Sequence, residues 1–443
     1  MFTSVTLKNY RSLTKLSFNL LSTRGTPRKI ALVYGENCVG KTNLMSAFLT
    51  LLDIAHGQDL DFGSFKRFRR CEGTMDDEDV GIFGSMARAT AEHLIHTCKT
   101  IGSVDNMSLE FGFRFNKLSG SYFIEFDDSQ IVNEQLSVIE KGEEKTLFSM
   151  KDDDYSIHLS VIKSLDYFKD VHLLLKQYWG RFSFLSILNQ ERDKKRADFI
   201  EKNLDPDFLT IVSALSDFSV NIENEERETS VNTFTPQYKG SIAKHQLHLL
   251  KAWEQSLNDF FVALYSDIKE VFYQTNCSDE GQTRVLYRLY ARKRIGDCLI
   301  AVPFEKESAG TKKLFEVFPL LVSAIKGDVV VLDGMDKGVH EVLIKSMLEN
   351  LAPHIKGQLI GSTHNTTLLE SDVLKKVAFV LTASSDGDKQ IQPFTAYEDG
   401  RIHANLNLRK RYLGGIYGGV PVPMAIDFNE IDQCLSNIEN TIK

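Results

Sequence analysis

Gly35-Glu36-Asn37-Cys38-Val39-Gly40-Lys41-Thr42 reads GxxxxGKT, a spacing whose chemistry is the capture of a polyphosphate. The glycines allow backbone N–H groups to turn inward around phosphate oxygens, and a helix opening at the lysine adds positive potential. Lys41 then reaches the β- and γ-phosphates, the Thr42 hydroxyl ligates Mg²⁺, and Asn43 follows in the same helical turn. Such a loop needs an apolar strand before it and a helix after it. Both are present, as Lys29–Tyr34 and as the pattern from Lys41 to about Leu52. ATP and Mg2+ are the expected ligands.

A second set of polar residues lies far downstream. Val329-Val330-Val331-Leu332-Asp333 is an apolar strand ending in an acid, the placement expected of a carboxylate that holds Mg²⁺ through water. It continues into Gly334-Met335-Asp336. Gln358-Leu359-Ile360-Gly361-Ser362 is another apolar strand, closed by Thr363 and His364. Between the loop and these strands, Ser308-Ala309-Gly310-Thr311 opens a helix with a Ser-x-Gly start, itself a good phosphate binder.

The elements that position these groups follow from periodicity. Ser4–Leu7 and Leu16–Asn19 are short strand-like runs on either side of a polar turn at Tyr10–Ser12. Residues 107–126 alternate with period two, and Ser119-Gly120 is the expected hairpin turn. From about 150 to 275 glycines are few, and Leu250, Trp253, Leu257, Phe260, Phe261 and Leu264 recur at helical steps. This middle reads as a mostly helical insertion. Strand character returns at Val285–Ala291, and from Ser308 helix and strand alternate three times, which implies a parallel sheet.

The composition admits a soluble globular chain: 443 residues, 42% hydrophobic, 25% charged and a formal net charge of -8. A uniformly basic nucleic-acid coat is excluded, although a local basic groove is not. Lys66–Arg70, Arg192–Arg196, Arg292–Arg294 and Arg409–Arg411 are short basic clusters that suit either solvent, DNA or an acidic partner. No apolar run is long enough to span a bilayer. Six cysteines without a CxxC pair read as free thiols. No membrane contact and a cytoplasmic location are expected.

The order of these motifs resembles that of the ABC ATPases, and most closely the SMC/RecF branch in which a long insertion splits the head. Leu7-Lys8-Asn9-Tyr10-Arg11-Ser12-Leu13 is similar to the opening of RecF-like and OLD-like ATPases. Ser308–Phe315, Thr363–Thr366 and Arg411–Gly418 resemble stand-alone OLD-like ATPases of bacterial anti-phage loci, of the AbiL/RloB, Septu and PARIS types. The resemblance covers residues 1 to about 130 and about 284 to 420.

It implies an α/β ABC-type P-loop head with a mixed sheet. Residues 1–130 would form the N-terminal lobe, 131–283 the largely helical insertion and 284–443 the C-terminal lobe. It further implies that Arg11 lies near the nucleotide and that His364 contacts the γ-phosphate and, with Asp333, serves catalysis. The Ser308–Thr311 signature of one copy would cap ATP held by another, in a homodimer or higher homo-oligomer. A regulatory ATPase of this kind controls a separate effector, a nuclease or toxin, on a phage-encoded trigger. The chain itself is not expected to be a nuclease, and any cutting activity would belong to another subunit. The alternative is a RecF-like repair ATPase that binds DNA directly.

One position departs from the family. The ABC strand usually ends Asp-Glu, and here Gly334 follows Asp333. Glycine cannot take a proton from water, and that work is typically worth ~10²–10⁴-fold. Slow hydrolysis is expected. Two readings stay open: ATP held as a structural ligand, or an altered residue that traps the ATP-bound state. Asp336, two residues further on, is not expected to replace the missing acid.

Overall fold

The computed structural model describes residues 1–57, 90–152, 154–222, 235–276, 283–384, 386–398, 402–403, 406–433 and 435. Strands β1 (Phe2–Tyr10) and β2 (Leu13–Asn19) form a hairpin whose turn is Arg11-Ser12. Strand β3 (Ile30–Tyr34) leads through the glycine loop into α1 (Lys41–His56), and α2 (Ala91–Cys98) follows. Then come β4 (Met107–Phe115), β5 (Leu118–Phe126), β6 (Ile131–Glu140), β7 (Glu143–Lys151) and β8 (Asp154–Ile157). These five join the first hairpin in one antiparallel sheet of order β2-β1-β4-β5-β6-β7-β8.

The middle of the chain holds α3 (Leu165–Tyr178), α4 (Phe184–Lys194), α5 (Ala197–Asn203) and α6 (Pro206–Ser216). Strand β9 (Ser219–Asn221), β10 (Lys239–Ala243), α7 (Leu247–Leu264), β11 (Ile268–Asn276), β12 (Arg284–Ile295) and β13 (Cys298–Pro303) come next. Strands β10 to β13 make a small antiparallel sheet centred on β12. The last stretch is α8 (Ala309–Lys326), β14 (Val329–Leu332), α9 (Glu341–Leu351), β15 (Gln358–Ser362), β16 (Ala378–Ala383), β17 (Lys389–Pro393) and α10 (Leu408–Leu413).

The central sheet has the order β17-β16-β3-β15-β14-β9, parallel except for the β16–β17 pair. Its inner strands β3 and β14 are apolar and fully buried because both faces are covered. Ala31, Val33, Val331, Ile360, Phe379 and Leu381 face one core, shared with α1 and the antiparallel sheet. Their neighbours Leu32, Tyr34, Val330, Leu359 and Val380 face the other core, shared with α7, α8 and α9. The phosphate-loop strand β3 and the acid-bearing strand β14 are therefore separated by one strand, β15, and all three end on the same edge.

Several expectations need correction. The 131–283 segment holds α3 to α7, but it is not simply helical. Its β6, β7 and β8 continue the N-terminal sheet, so the boundary at 130/131 falls between two adjacent strands of it. Its β9 pairs with β14 in the central sheet. The exposed charged residues Glu143 and Glu144 at the start of β7 hide its strand pattern, and β8 is the outermost strand of the sheet, where little is buried. A further anchor is Glu134 on β6, whose buried carboxylate accepts from the N–H groups of Phe184 (2.6 Å) and Leu185 (3.1 Å) at the start of α4. Tyr122 and Trp179 also donate to it, and burial still raises its pKa. The hairpin turn of β4 and β5 is Asn116-Lys117, with Asn116 at φ 55, while Ser119-Gly120 lies within β5. Between β15 and β16 the expected helix is two short 3-10 turns, Thr366–Glu370 and Leu374–Val377.

Candidate functional site

Lys41 is the first residue of α1 and sits under the loop that β3 delivers. Its ammonium donates to the carbonyls of Gly35 (2.9 Å) and Glu36 (2.8 Å) and is only 7% exposed. Burial lowers its pKa, and the negative charges of Asp333 and Asp336 oppose that shift. Cys38 holds the bend of the loop at φ 64, with an exposed side chain. Val39 turns into the core, which explains an apolar residue within a phosphate loop.

The Thr42 hydroxyl donates to Oδ2 of Asp333 at 2.8 Å. The other oxygen of Asp333 accepts from the Ser362 hydroxyl at the end of β15. Ser362 in turn accepts the Gly334 N–H at 2.8 Å. The start of α1 and the ends of β14 and β15 are thus laced together. Gly334 has φ 60, in the left-handed region that favours glycine. The chain then turns, with the Lys337 N–H donating to the Gly334 carbonyl at 3.1 Å. This turn returns Asp336 to the site, where Oδ2 accepts from the Thr363 hydroxyl (2.9 Å) and the His364 N–H (3.1 Å).

These groups enclose a cleft of about 650 Å³. Asn37, Cys38, Gly40, Lys41, Thr42, Asn43, Asp333 and His364 line it, as the sequence suggests, together with Gly334, Asp336, Lys337 and Ser362. The His364 imidazole has a lowered pKa, through burial first and then the nearby Lys41 ammonium, so it is neutral at pH 7. Gly35 and Glu36 sit beneath the lining, where their carbonyls meet Lys41. Sequence reasoning set Asp336 aside. The signal available was an acid three positions after Asp333, with a glycine between them able to reverse the chain.

Other sequence-selected residues stand outside the lining. Arg11 donates to the Ser46 hydroxyl on α1 at 3.0 Å. Ser308 caps α8, accepting the Thr311 N–H at 3.2 Å and pairing with the Thr311 hydroxyl at 2.8 Å. Ser308 is exposed. Gly310 packs against the turn after Asp336: a Cβ there would lie 2.2 Å from the Gly338 carbonyl oxygen.

The donor set fits Mg²⁺ bound with a nucleotide. Thr42 and Asp333 present a hydroxyl and a carboxylate to one point. No group of three His, Cys, Asp or Glu suited to a metal occurs among the described residues. A P-loop Mg²⁺ needs none, because phosphate and water oxygens complete its shell.

The basic clusters are largely paired within the chain. Arg192 lies 3.8 Å from Asp217, and Lys195 lies 3.0 Å from Glu191. Arg292 pairs with Glu270, Lys293 with Asp267 and Glu307, Arg409 with Glu370 and Arg411 with Glu398. Lys66–Arg70 lie outside the described residues. Cys38, Cys98 and Cys298 are free thiols; Cys71, Cys277 and Cys434 fall outside that set. Among the described residues no helix is long and apolar enough to cross a membrane.

The family described as AAA domain, putative AbiEii toxin, Type IV TA system (AAA_21) matches residues 30–370. No curated protein matches the sequence. Among solved structures the chain is similar to the SMC head domain from Thermotoga maritima, at 14% identity and TM-score 0.38, over 88% of this chain and 98% of that one. It is also similar to an Smc head bound to the C-winged helix domain of ScpA, at 11% identity and TM-score 0.44, over 88% and 96%. A third is the Smc head domain with an extended coiled coil bound to the C-terminal domain of ScpA derived from Pyrococcus furiosus, at 14% identity and TM-score 0.39, over 90% and 98%.

Proposed function

This chain belongs to the AAA_21 family, and from that premise we propose that it is the ATP-binding regulatory subunit of a bacterial anti-phage defence complex. Two copies close around ATP and Mg²⁺, hydrolysis is slow, and the nucleotide state controls a separate effector, a nuclease or toxin, in response to a phage-encoded trigger. The observation that carries the reading is the Thr42–Asp333 bond beside the buried Lys41. It joins a hydroxyl and an acid at the point where a P-loop holds its metal.

The shared site is supported by Ser308, exposed at the N-terminus of α8 and absent from the cleft lining of its own chain. A helix N-terminus with a serine cap suits the phosphate of a nucleotide held by a second copy. Slow hydrolysis is supported by Gly334, which leaves the position directly after Asp333 without a carboxylate, so that any base has to come from further along the chain. A partner protein is supported by the C-terminal segment. Val422, Met424, Ile426 and Phe428 alternate there at 90, 89, 66 and 71% exposed, and exposed apolar rows of this kind mark interaction sites. Asp427, Glu430 and Asp432 accompany them, so an apolar groove with a basic rim on the effector is the matching surface.

The test is light scattering of the purified full-length chain with and without Mg-ATP, and co-purification with the product of the adjacent gene. A mass that doubles with ATP, and stays single in Lys41→Ala, is expected. Deleting residues 421–435 should release the effector while leaving ATP binding intact. A chain that stays monomeric with ATP and purifies without that neighbour would defeat the reading.

A further inference from the structure

Resting on that ATP-binding reading, we infer that Asp336 is the carboxylate that takes the proton of the attacking water. Two carboxylates line the cleft, Asp333 and Asp336. Asp333 is committed, since one oxygen accepts from Thr42 and the other from Ser362. Asp336 accepts from Thr363 and from the His364 N–H through the same oxygen, Oδ2. Those bonds orient the carboxylate from the strand end between the phosphate loop and β14. Lys41 and Asp336 line the same cleft, and the Lys41 ammonium feels the charge of Asp336 as well as that of Asp333.

Gly334 makes this arrangement available. Its left-handed backbone turns the chain after Asp333 instead of extending it. An acid three residues along therefore stands in the site, and a side chain at 334 is given up. In the step itself, the water oxygen forms a bond to the γ-phosphorus and the bridging P–O bond breaks. The electron pair leaves on ADP, and the water proton passes to the Asp336 carboxylate. A general base of this kind typically contributes ~10²–10⁴-fold. Thr363 is a positioning residue, acting through its hydrogen bond to Asp336.

The experiment measures ATP binding and single-turnover phosphate release on the full-length chain. Asp336→Asn should slow release about 100-fold while ATP affinity and the melting temperature stay near wild type. Asp336→Glu should restore part of the rate, and Asp336→Asn should flatten the acid limb of the pH–rate profile. Thr363→Val should give a smaller loss with the limb retained. A wild-type rate in Asp336→Asn overturns the assignment, as does an unchanged pH profile. A loss matched by His364→Ala but absent in Asp336→Asn moves the role to the histidine. Failure of the wild-type chain to bind ATP is a separate result, and it removes the underlying reading instead.

Discussion

Thr42 and Asp333, 291 residues apart in the chain, meet at 2.8 Å with the hydroxyl donating to the carboxylate. Strand β3 places the first and β14 the second, and the Ser362 hydroxyl from the intervening β15 holds the other oxygen of Asp333. The pair forms a latch between two distant parts of the sequence.

Removing either end of that latch should cost Mg²⁺-dependent affinity. A hydrogen bond to a charged group contributes ~1.5–3 kcal/mol, so Thr42→Ala or Asp333→Asn should weaken Mg-ATP binding about 10- to 100-fold. Calorimetric titration with and without Mg²⁺ checks this. The metal-free affinity should change far less, and an equal loss in both conditions would count against the latch.

His364 should report on Lys41. Burial and the ammonium both disfavour the imidazolium in the folded state. The unfolded chain then binds the extra proton, so this contribution to stability is complete above the ordinary value of 6.5 and is lost as pH falls from there through the lower folded-state value. Lys41→Met removes one of the two causes and should raise the midpoint, leaving it below ordinary because burial remains. Proton NMR of the imidazole ring measures it, and an unmoved midpoint would dissociate the two side chains.

Gly310→Ala should damage both folding and assembly. The added Cβ would sit 2.2 Å from the Gly338 carbonyl oxygen, a backbone atom that cannot rotate away. Overpacking of this kind costs ~1–3 kcal/mol. Urea unfolding should show that loss, and ATP-dependent dimerisation should weaken with it, because the displaced segment carries Ser308. A neutral substitution would mean the two loops separate easily.

Gly334→Glu should not create a fast ATPase. A side chain at φ 60 is strained, at ~1–3 kcal/mol for a non-glycine residue in that region. The expected outcome is a lower melting temperature and no gain in phosphate release. A large gain in turnover would show that the turn relaxes to admit the usual acid, and Asp336 would then be dispensable.

The parts legible in the sequence are those set by local spacing. GxxxxGKT between an apolar strand and a helix specifies a phosphate loop because the backbone itself supplies the donors. The period of Val329–Leu332 and Gln358–Ser362 specifies buried strands, whose terminal residues Asp333 and Thr363-His364 emerge on one edge. The helical steps at Leu250, Leu257 and Phe261 correspond to the buried face of α7. Strand β8 is hidden because it is an edge strand that exposes its residues, and β7 because its first half carries exposed charges that break the alternating signature.

What the sequence alone determined is therefore the chemistry of the loop, the order of its companion strands and the α/β character of the head. The tertiary structure decided which side chains meet. It returned Asp336 to the cleft through the turn at Gly334, held Arg11 on Ser46, and left Ser308 exposed and outside the lining of the cleft. The physical reason is range. Backbone dihedrals and side-chain periodicity are local, whereas the meeting of two side chains depends on strand order and on how the sheets stack, which no short window of residues contains.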